Sequence, residues 1–225
     1  MTGAFTGEEM LEVWDWRTAL PTGVSVGRSR AHREGIPHEG VHLWIIRGIG
    51  PSLPEILFQE RASHKAQYPD CLDITVGGHV PFGVKEGKIQ KEAVEEIGIC
   101  PLESELTYLG LYRYEERNSV LFHREFQRVY LLRRDAGLDT YRFVDGEVTG
   151  IYAVPLEYVV RLLGADEPRV IDGYNGKEMV SREVSRSDFH PLLFEPSMRE
   201  YMATVISATR ELFETGAVRS RMPAP

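Results

Sequence analysis

Alternating hydrophobic and polar positions predict β-strands along much of the chain. Such runs cover residues 11–16, 23–27, 41–47, 55–60, 106–115, 120–132 and 150–154. A Leu-Pro-Thr-Gly turn at residues 20–23 separates the first two strands and predicts an N-terminal hairpin, and a longer hairpin is expected around residues 117–119. Residues 61–73 are polar and irregular, so this segment is predicted to be a loop.

Apolar residues spaced three and four positions apart predict helices elsewhere. These helices are residues 88–97 ending at Gly98, residues 156–163 after Pro155, and about residues 196–215. In the first helix, Ile89, Ala93 and Ile97 form the stripe expected to be buried. In the last helix the residues expected to face inward are Met198, Tyr201, Met202, Val205, Ile206 and Leu212. Strands with helices on both sides predict an α/β fold, an α/β/α sandwich around a mixed sheet, with an N-terminal β-hairpin and a C-terminal helix.

The composition favours one domain and excludes several classes of partner. No linker or repeat divides the 225 residues, so residues 1–225 are predicted to form a single domain, with extensions at about residues 9–38 and 165–225. A net charge of −8 argues against a general nucleic-acid or membrane-surface binder. The two cysteines, Cys71 and Cys100, lack metal-ligand spacing, and no signal peptide or membrane span is evident, so a cytoplasmic protein is expected.

Three carboxylates share one face of the helix at residues 88–97. Glu92, Glu95 and Glu96 lie at positions i, i+3 and i+4, where like charges repel one another. A hard divalent cation such as Mg²⁺ or Mn²⁺ would remove this repulsion, whereas a solvated acidic face is the simpler alternative. Residues 75–83 predict a short strand that runs into a glycine-rich loop before the helix, which is a geometry suited to phosphate or metal.

Residues 77–99 resemble the signature of the Nudix hydrolases, in which a glycine loop precedes a helix bearing an Arg-Glu and a Glu-Glu pair. The chain departs from the signature at Val84, where a Glu is expected, and at Lys91, where an Arg is expected. The resemblance implies an α/β/α sandwich and makes Glu92, Glu95 and Glu96 the metal ligands, with Mg²⁺ (or Mn²⁺) as cofactor. It also implies a backbone carbonyl near Gly77 or Gly78 as a further ligand.

A further carboxylate is expected from the strand at residues 120–132. Alternation places His123, Glu125 and Gln127 on one face of this strand. A carboxylate in mid-strand is costly if it is buried without a partner, so Glu125 should meet a cation or solvent. Nudix enzymes commonly take one more Glu from such a strand, which makes Glu125 a candidate metal ligand or general base, with a plain edge-strand carboxylate as the alternative.

Residues 61–79 resemble more closely the isopentenyl-diphosphate-isomerase-like branch of the superfamily. In that branch an Arg and a Lys hold the substrate diphosphate, which assigns Arg61 and Lys65 to substrate binding together with Gly78 and His79. A solvated basic loop is the alternative for the two cations. The segment at residues 30–42 resembles the one that supplies two His ligands in the isomerase. This makes His32 and His38 candidate ligands, although a lone histidine is more often a loop or core residue.

The leading functional prediction is a metal-dependent pyrophosphohydrolase that acts on a small-molecule diphosphate, such as a nucleoside diphosphate derivative. Glu92, Glu95, Glu96 and Glu125 are its predicted catalytic and metal-binding residues. Isopentenyl-diphosphate isomerase is an alternative, but Gly77 stands where that enzyme has its reactive Cys, and His123 replaces a strand carboxylate. A second alternative is a Nudix-fold binding protein without turnover. The sequence also allows a homodimer.

Substrate specificity is expected from residues 171–190, for which a surface hairpin between two helices is the alternative. Tyr174 is a candidate for stacking on a base. Trp14 and Trp16 are candidates too, but core packing is the favoured prediction for both tryptophans.

Overall fold

The computed structural model describes residues 8–49, 53–65, 67–117 and 122–225. Its strands are β1 (Met10–Asp15), β2 (Leu20–Gly27), β3 (His38–Arg47), β4 (Glu55–Arg61), β5 (Leu72–Asp73), β6 (Val76–His79), β7 (Leu106–Arg117), β8 (Phe122–Arg133), β9 (Val148–Pro155), β10 (Arg169–Tyr174) and β11 (Met179–Val184). Its α-helices are α1 (Arg28–Glu34), α2 (Lys88–Ile97), α3 (Leu156–Leu162) and α4 (Arg199–Thr215). Within these ranges, no helix is both long and apolar enough to cross a bilayer.

A mixed sheet of nine strands organises the described residues. Its strand order is β11-β10-β9-β4-β3-β8-β7, with β5 paired to β4 and β6 paired to β3, while β1 and β2 form a separate two-stranded sheet. β3 and β8 run parallel, and the remaining pairs are antiparallel. β3 and β4 pair with each other only over residues 45–47 and 55–57. Outside this segment, β3 pairs with β6 and β4 pairs with β5. This divergence in mid-sheet opens the space in which the candidate site lies.

Hydrophobic residues pack on both faces of the sheet, which confirms the predicted α/β sandwich. Alternate residues of β3 divide between the two cores: Val41, Leu43 and Ile45 pack with the buried stripe of α2, whereas Trp44 and Ile46 pack with α3 and α4. The ion pair of Lys88 Nζ with Glu39 Oε2, at 2.5 Å, ties the start of α2 to β3. Because α2 is fixed in this way, its acidic face is held against β6.

The predicted helix at residues 88–97 is confirmed at both ends. Ile89, Ala93 and Ile97 are buried, and Gly98 ends the helix with a positive φ of 71°. A positive φ favours glycine, which explains why the helix ends there.

Other predictions need correction. The first turn lies at residues 16–19 instead of 20–23, because Asp15 Oδ1 accepts hydrogen bonds from the backbone N–H groups of Arg17 and Thr18. Helix α1 was not predicted, since a segment of seven polar-rich residues carries little periodicity. By contrast, the alternative given for residues 171–190, a surface hairpin between two helices, is confirmed: β10 and β11 form a hairpin with one exposed face between α3 and α4, and β10 also pairs with β9 at the edge of the main sheet. Most of the turn predicted around residues 117–119 lies outside the described residues.

Candidate metal and substrate site

A cavity of about 520 Å³ opens where β3 and β4 diverge. Strands β3, β6 and β8 contribute side chains to it, together with the start of α1, the acidic face of α2 and the loop after β4. The segment at residues 190–198, which leads into α4, closes its far end with His190, Leu192, Leu193 and Met198. The cavity therefore brings together residues from distant parts of the sequence.

Four imidazoles converge at one side of this cavity. His32 comes from α1, His38 from β3, His79 from β6 and His123 from β8. One ring nitrogen from each histidine lies within 4.8 Å of those of the other three. In the described part of the chain, these four side chains form a group of potential ligands compact enough to hold a metal ion. Two ligand atoms that each lie about 2.1 Å from a common ion are about 3–4 Å apart, so the cluster has nearly the dimensions of a metal site.

The carboxylate of Glu125 stands at the centre of the imidazoles. Its Oε1 lies 3.2 Å from His123 Nε2, 3.4 Å from His79 Nε2 and 3.6 Å from His38 Nε2. Gly40 of the neighbouring strand makes room for it, because a Cβ there would lie 3.0 Å from the carboxylate. Glu125 thus lies in the histidine cluster, although the sequence predicted that it would act together with the α2 glutamates.

Hydrogen bonding fixes the orientation of His38. Its Nδ1 is 2.8 Å from the carbonyl oxygen of Ile36, and since a carbonyl only accepts, Nδ1 carries a proton and Nε2 is the nitrogen that faces the cluster. The Nε2 atoms of His38 and His123 are buried, and in the described residues their contacts with Glu125 Oε1 lack the geometry of a hydrogen bond. This set of four imidazoles and one carboxylate matches the ligand preferences of Mn²⁺, Zn²⁺ or Fe²⁺. The residues present therefore fit a divalent ion.

The protonation states of the cluster are unequal. Burial lowers the pKa of His32 to about 4, with a further contribution from His123 and His38. Burial also holds the pKa of His79 well below its ordinary value. Burial opposes the charged form of His123 too, but the adjacent Glu125 carboxylate raises its pKa. For Glu125 burial is outweighed by His123 and the other imidazoles, which hold its pKa well below the usual range.

Glu92 and Glu95 of α2 line the same cavity, whereas Glu96 is buried beside Gly77 and Gln59 of the cavity wall. Glu96 is 4% exposed, and its Oε2 accepts a hydrogen bond of 3.1 Å from the N–H of Gly77. Glu92 lies directly over Gly78, where a Cβ would come within 2.3 Å of its carboxylate. Glu95 is exposed and accepts a 2.7 Å hydrogen bond from Lys91 Nζ. Burial raises the pKa of Glu92, and it raises that of Glu96 well above the ordinary value.

Lys91 takes part in this arrangement although it departs from the signature. It pairs with Glu95 at 2.7 Å and with Glu92 at 3.3 Å. Lys91 thus supplies positive charge to the acidic face where a divalent ion is expected.

The cations predicted to bind substrate line the cavity and are already engaged with protein acceptors. Arg61 donates to Asp73 Oδ2 at 3.1 Å and to the backbone carbonyls of Gln67 and Tyr68, each at 3.0 Å. Lys65 forms an ion pair with Glu147. Arg28, which the sequence did not single out, also lines the cavity and lies 3.4 Å from Glu9.

The predictions for the variable region are wrong in part. Of residues 171–190, only His190 lies among the described cavity-lining residues. Tyr174 is buried in the core beside Phe143 and is not placed to stack on a ligand. Trp14 is buried and packs on Phe126, as predicted for a core tryptophan. Trp16 also packs on Phe126 but is only half-buried.

Several cavity residues were given no role of their own in the sequence analysis, although His42 and His190 lie in segments that it singled out. His42, Gln59, Asp73, Tyr114 and His190 come from separate strands and from the segment before α4. No local sequence motif relates these residues, because they come together only in the folded structure.

Comparison with known proteins shows which proteins this chain resembles. An uncharacterised Nudix hydrolase of Clostridium acetobutylicum is 25% identical over 190 residues, covering 82% of this chain and 91% of that protein. The chain is thus similar to a Nudix hydrolase over most of its length. Nudix hydrolases are enzymes that act on acid anhydrides, and they generally use divalent metals.

Two further proteins are similar to the chain. Nudix hydrolase 3 of Arabidopsis thaliana is 28% identical over 155 residues, which are 67% of this chain but only 20% of that longer protein. The crystal structure of DR0079 from Deinococcus radiodurans shares the fold, with a TM-score of 0.50 and 22% identity over 68% of this chain and 88% of that one. No family model matches the chain.

Proposed function

We propose that this protein is a divalent-metal-dependent Nudix pyrophosphohydrolase that cleaves the diphosphate of a nucleoside diphosphate derivative or another X-linked diphosphate. The observation that carries the proposal is the charge of the cavity. Eight Asp and Glu side chains line it against four Arg and Lys side chains, among the described residues. A diphosphate is itself an anion, so it can enter such a cavity only together with cations.

Two groups of ligands would hold these cations. Glu92, Glu95 and Glu96 offer carboxylate oxygens, which suit Mg²⁺ or Mn²⁺. The four imidazoles with Glu125 offer a mixed nitrogen and oxygen set, which suits a transition metal such as Mn²⁺ or Zn²⁺. A divalent ion in such a site neutralises phosphate charge and polarises the phosphoryl oxygens. Since His79 belongs to the imidazole group, it is proposed as a metal ligand in place of the substrate contact that the sequence predicted.

Glu96 is the best-placed general base. Its pKa is raised by burial, and the Gly77 N–H and the Gln59 amide nitrogen, 3.1 Å and 3.5 Å from its Oε2, hold the carboxylate in one orientation. A general base is most effective when its pKa lies near the working pH, and burial moves Glu96 in that direction. Glu125, the other candidate, has its pKa lowered and is enclosed by imidazoles, so it is a poor proton acceptor. Glu96 would therefore orient and deprotonate the attacking water.

The cations of the cavity would neutralise the remaining charge. Arg61 is held rigidly by three acceptors, whereas Lys65, Lys91 and Arg28 pair with carboxylates at the cavity wall. Entry of a metal-bound diphosphate offers these side chains a second anionic partner. Gly78 leaves space for the Glu92 carboxylate, which would otherwise be displaced from the site.

The test is a phosphate-release screen with Mg²⁺ or Mn²⁺ over nucleoside diphosphate sugars, dinucleotides, coenzyme A and isoprenoid diphosphates. Turnover that requires the metal is expected for the wild type, and Glu96→Gln should lower it at least about 100-fold while leaving the circular dichroism spectrum unchanged. Glu86→Gln, a change of an exposed carboxylate in the loop before α2, is the matched control and should retain turnover. Wild-type activity in Glu96→Gln would refute the assigned role. Absence of turnover for every substrate, with tight ligand binding, would instead indicate a binding protein.

A further inference from the structure

The floor of the cavity carries two polar side chains that the proposed chemistry does not use. His42 on β3 and Gln127 on β8 lie on adjacent parallel strands, where Gln127 pairs with Gly40 and His42 pairs with Val129. Both side chains line the cavity, and they are 9% and 5% exposed. They are two register positions apart on the same face of the sheet, so both side chains are directed to the same side of it.

The hydrogen bonds of His42 fix which of its ring nitrogens carries the proton. The indole Nε1–H of Trp44 donates to the Tyr201 hydroxyl at 2.9 Å, and His42 Nδ1 lies 2.9 Å from the same oxygen. Tyr201 is fully buried, so its own proton needs an acceptor, and His42 Nδ1 is the one at hand. The neutral His42 ring therefore carries its proton on Nε2.

This Nε2–H points into the cavity. His42 Cδ2 and Nε2 lie 3.5 Å and 4.0 Å from the position that a Cβ on Gly77 would occupy, so the absent side chain leaves open space beside this edge of the ring. No hydrogen bond of His42 Nε2 occurs within the described ranges of the chain. Burial lowers the pKa of His42, which keeps the ring a neutral donor.

Gln127 presents the complementary acceptor. Its Nε2 donates to Glu125 Oε2 at 3.2 Å, and since a carboxylate only accepts, the amide nitrogen must face Glu125. The amide oxygen then faces away from Glu125, where it is buried without a partner in the described residues. A buried acceptor without a partner is uncommon in folded proteins and indicates that something else satisfies it.

We propose that His42 Nε2–H and Gln127 Oε1 bind a hydroxyl group on the organic moiety linked to the diphosphate. A hydroxyl both donates and accepts, so it satisfies both groups at once, whereas an apolar moiety would leave both buried and unpaired. The substrate class is thus a diphosphate of a sugar or another hydroxylated group, and isoprenoid diphosphates are disfavoured. This inference rests on the proposed function.

The test compares kcat/KM for UDP-glucose and ADP-ribose with that for geranyl diphosphate, using Mg²⁺ and Mn²⁺ and the full chain. The wild type should prefer the hydroxylated substrates. His42→Phe and Gln127→Leu should each lower the ratio of kcat/KM for the preferred hydroxylated substrate to that for geranyl diphosphate about 10- to 100-fold, mainly through KM. His42→Gln, which restores a donor near the position of Nε2, should recover most of the ratio. Equal or better use of geranyl diphosphate by the wild type, or an unchanged ratio in both variants, would overturn the inference.

Two measurements separate this inference from the proposed function. Nitrogen-15 NMR of the histidines should show His42 protonated on Nε2 in the wild type, and Tyr201→Phe should remove that preference. Calorimetric titration with ADP-ribose and Mg²⁺ should show binding that His42→Phe weakens. If binding follows this pattern without any hydrolysis, the proposed hydrolysis fails, and only the hydroxyl contact with His42 and Gln127 is supported. If ADP-ribose and UDP-glucose do not bind, the inference fails.

Discussion

Replacing Glu125 by Gln tests whether the carboxylate and the imidazoles form one coupled, buried group. The substitution keeps the shape of the side chain and removes its charge. Glu125 is 6% exposed and has three imidazole nitrogens within 3.6 Å. Removing one partner from a buried ion pair costs about 3–5 kcal/mol, because the other charge is left without compensation. In a chain of 225 residues this corresponds to a fall in Tm of about 6–20 °C.

The effect should depend on pH in a defined sense. The pKa of Glu125 is lowered in the folded state, so its contribution is present above the unfolded value of about 4.3 and is lost as the pH falls through the folded pKa. The pKa of His123 is raised, so its contribution is complete below the unfolded value of about 6.5 and is lost as the pH rises through the folded pKa. The pair is therefore strongest between these two values, and pH 6 is the condition of choice.

The assay is urea unfolding followed by tryptophan fluorescence, in the presence of a chelator. Glu115→Gln is the control, because Glu115 pairs with Arg124 at the surface of the adjacent strand and should cost less than about 1 kcal/mol. A loss of stability in Glu125→Gln that does not exceed that of the control at pH 6 would refute the reasoning.

Further predictions concern α2 and the imidazole cluster. Because burial raises the pKa of Glu96, ionisation of this carboxyl destabilises the metal-free fold increasingly as the pH rises above the unfolded pKa of about 4.3. The Glu96→Gln variant should therefore have a higher urea midpoint than the wild type at pH 8 but not at pH 4. Equal midpoints at pH 8 would contradict this. Mn²⁺ affinity, measured by calorimetry, should rise up to about tenfold per pH unit below the raised pKa of His123, since the ion must displace its proton; affinity that is flat with pH would exclude His123 as a ligand. Ile97→Ala should cost about 2–5 kcal/mol in urea unfolding because Ile97 is fully buried, whereas Val94→Ala, at a position 42% exposed, should cost less than about 1 kcal/mol.

Local patterns in the sequence predict the helix that carries the acidic face. The stripe of Ile89, Ala93 and Ile97 and the glycine at position 98 specify α2 with its observed bounds. Periodicity and a C-terminal glycine act within a few residues of each other, so they can be recognised without the rest of the fold. The sandwich of helices on a mixed sheet follows from the same kind of evidence.

The histidine cluster illustrates what sequence patterns do not contain. His38, His79 and His123 meet because β3 pairs with β6 on one side and with β8 on the other, and His32 joins them only through α1, which was not predicted. These are long-range pairings that no local spacing encodes. The sequence placed His123 on the same strand face as Glu125 and marked His32 and His38 as candidate ligands, but it did not bring these imidazoles and Glu125 together in one cluster.

The most direct test of the account is anomalous diffraction from crystals soaked with Mn²⁺ and a non-hydrolysable diphosphate such as imidodiphosphate. The account predicts anomalous peaks beside Glu92 and Glu96 and among the four imidazoles, with the diphosphate between them. The contradicting result is a cavity with no manganese at the α2 glutamates, whether or not the diphosphate is bound. It would refute the proposal that this acidic face binds the metal on which catalysis depends.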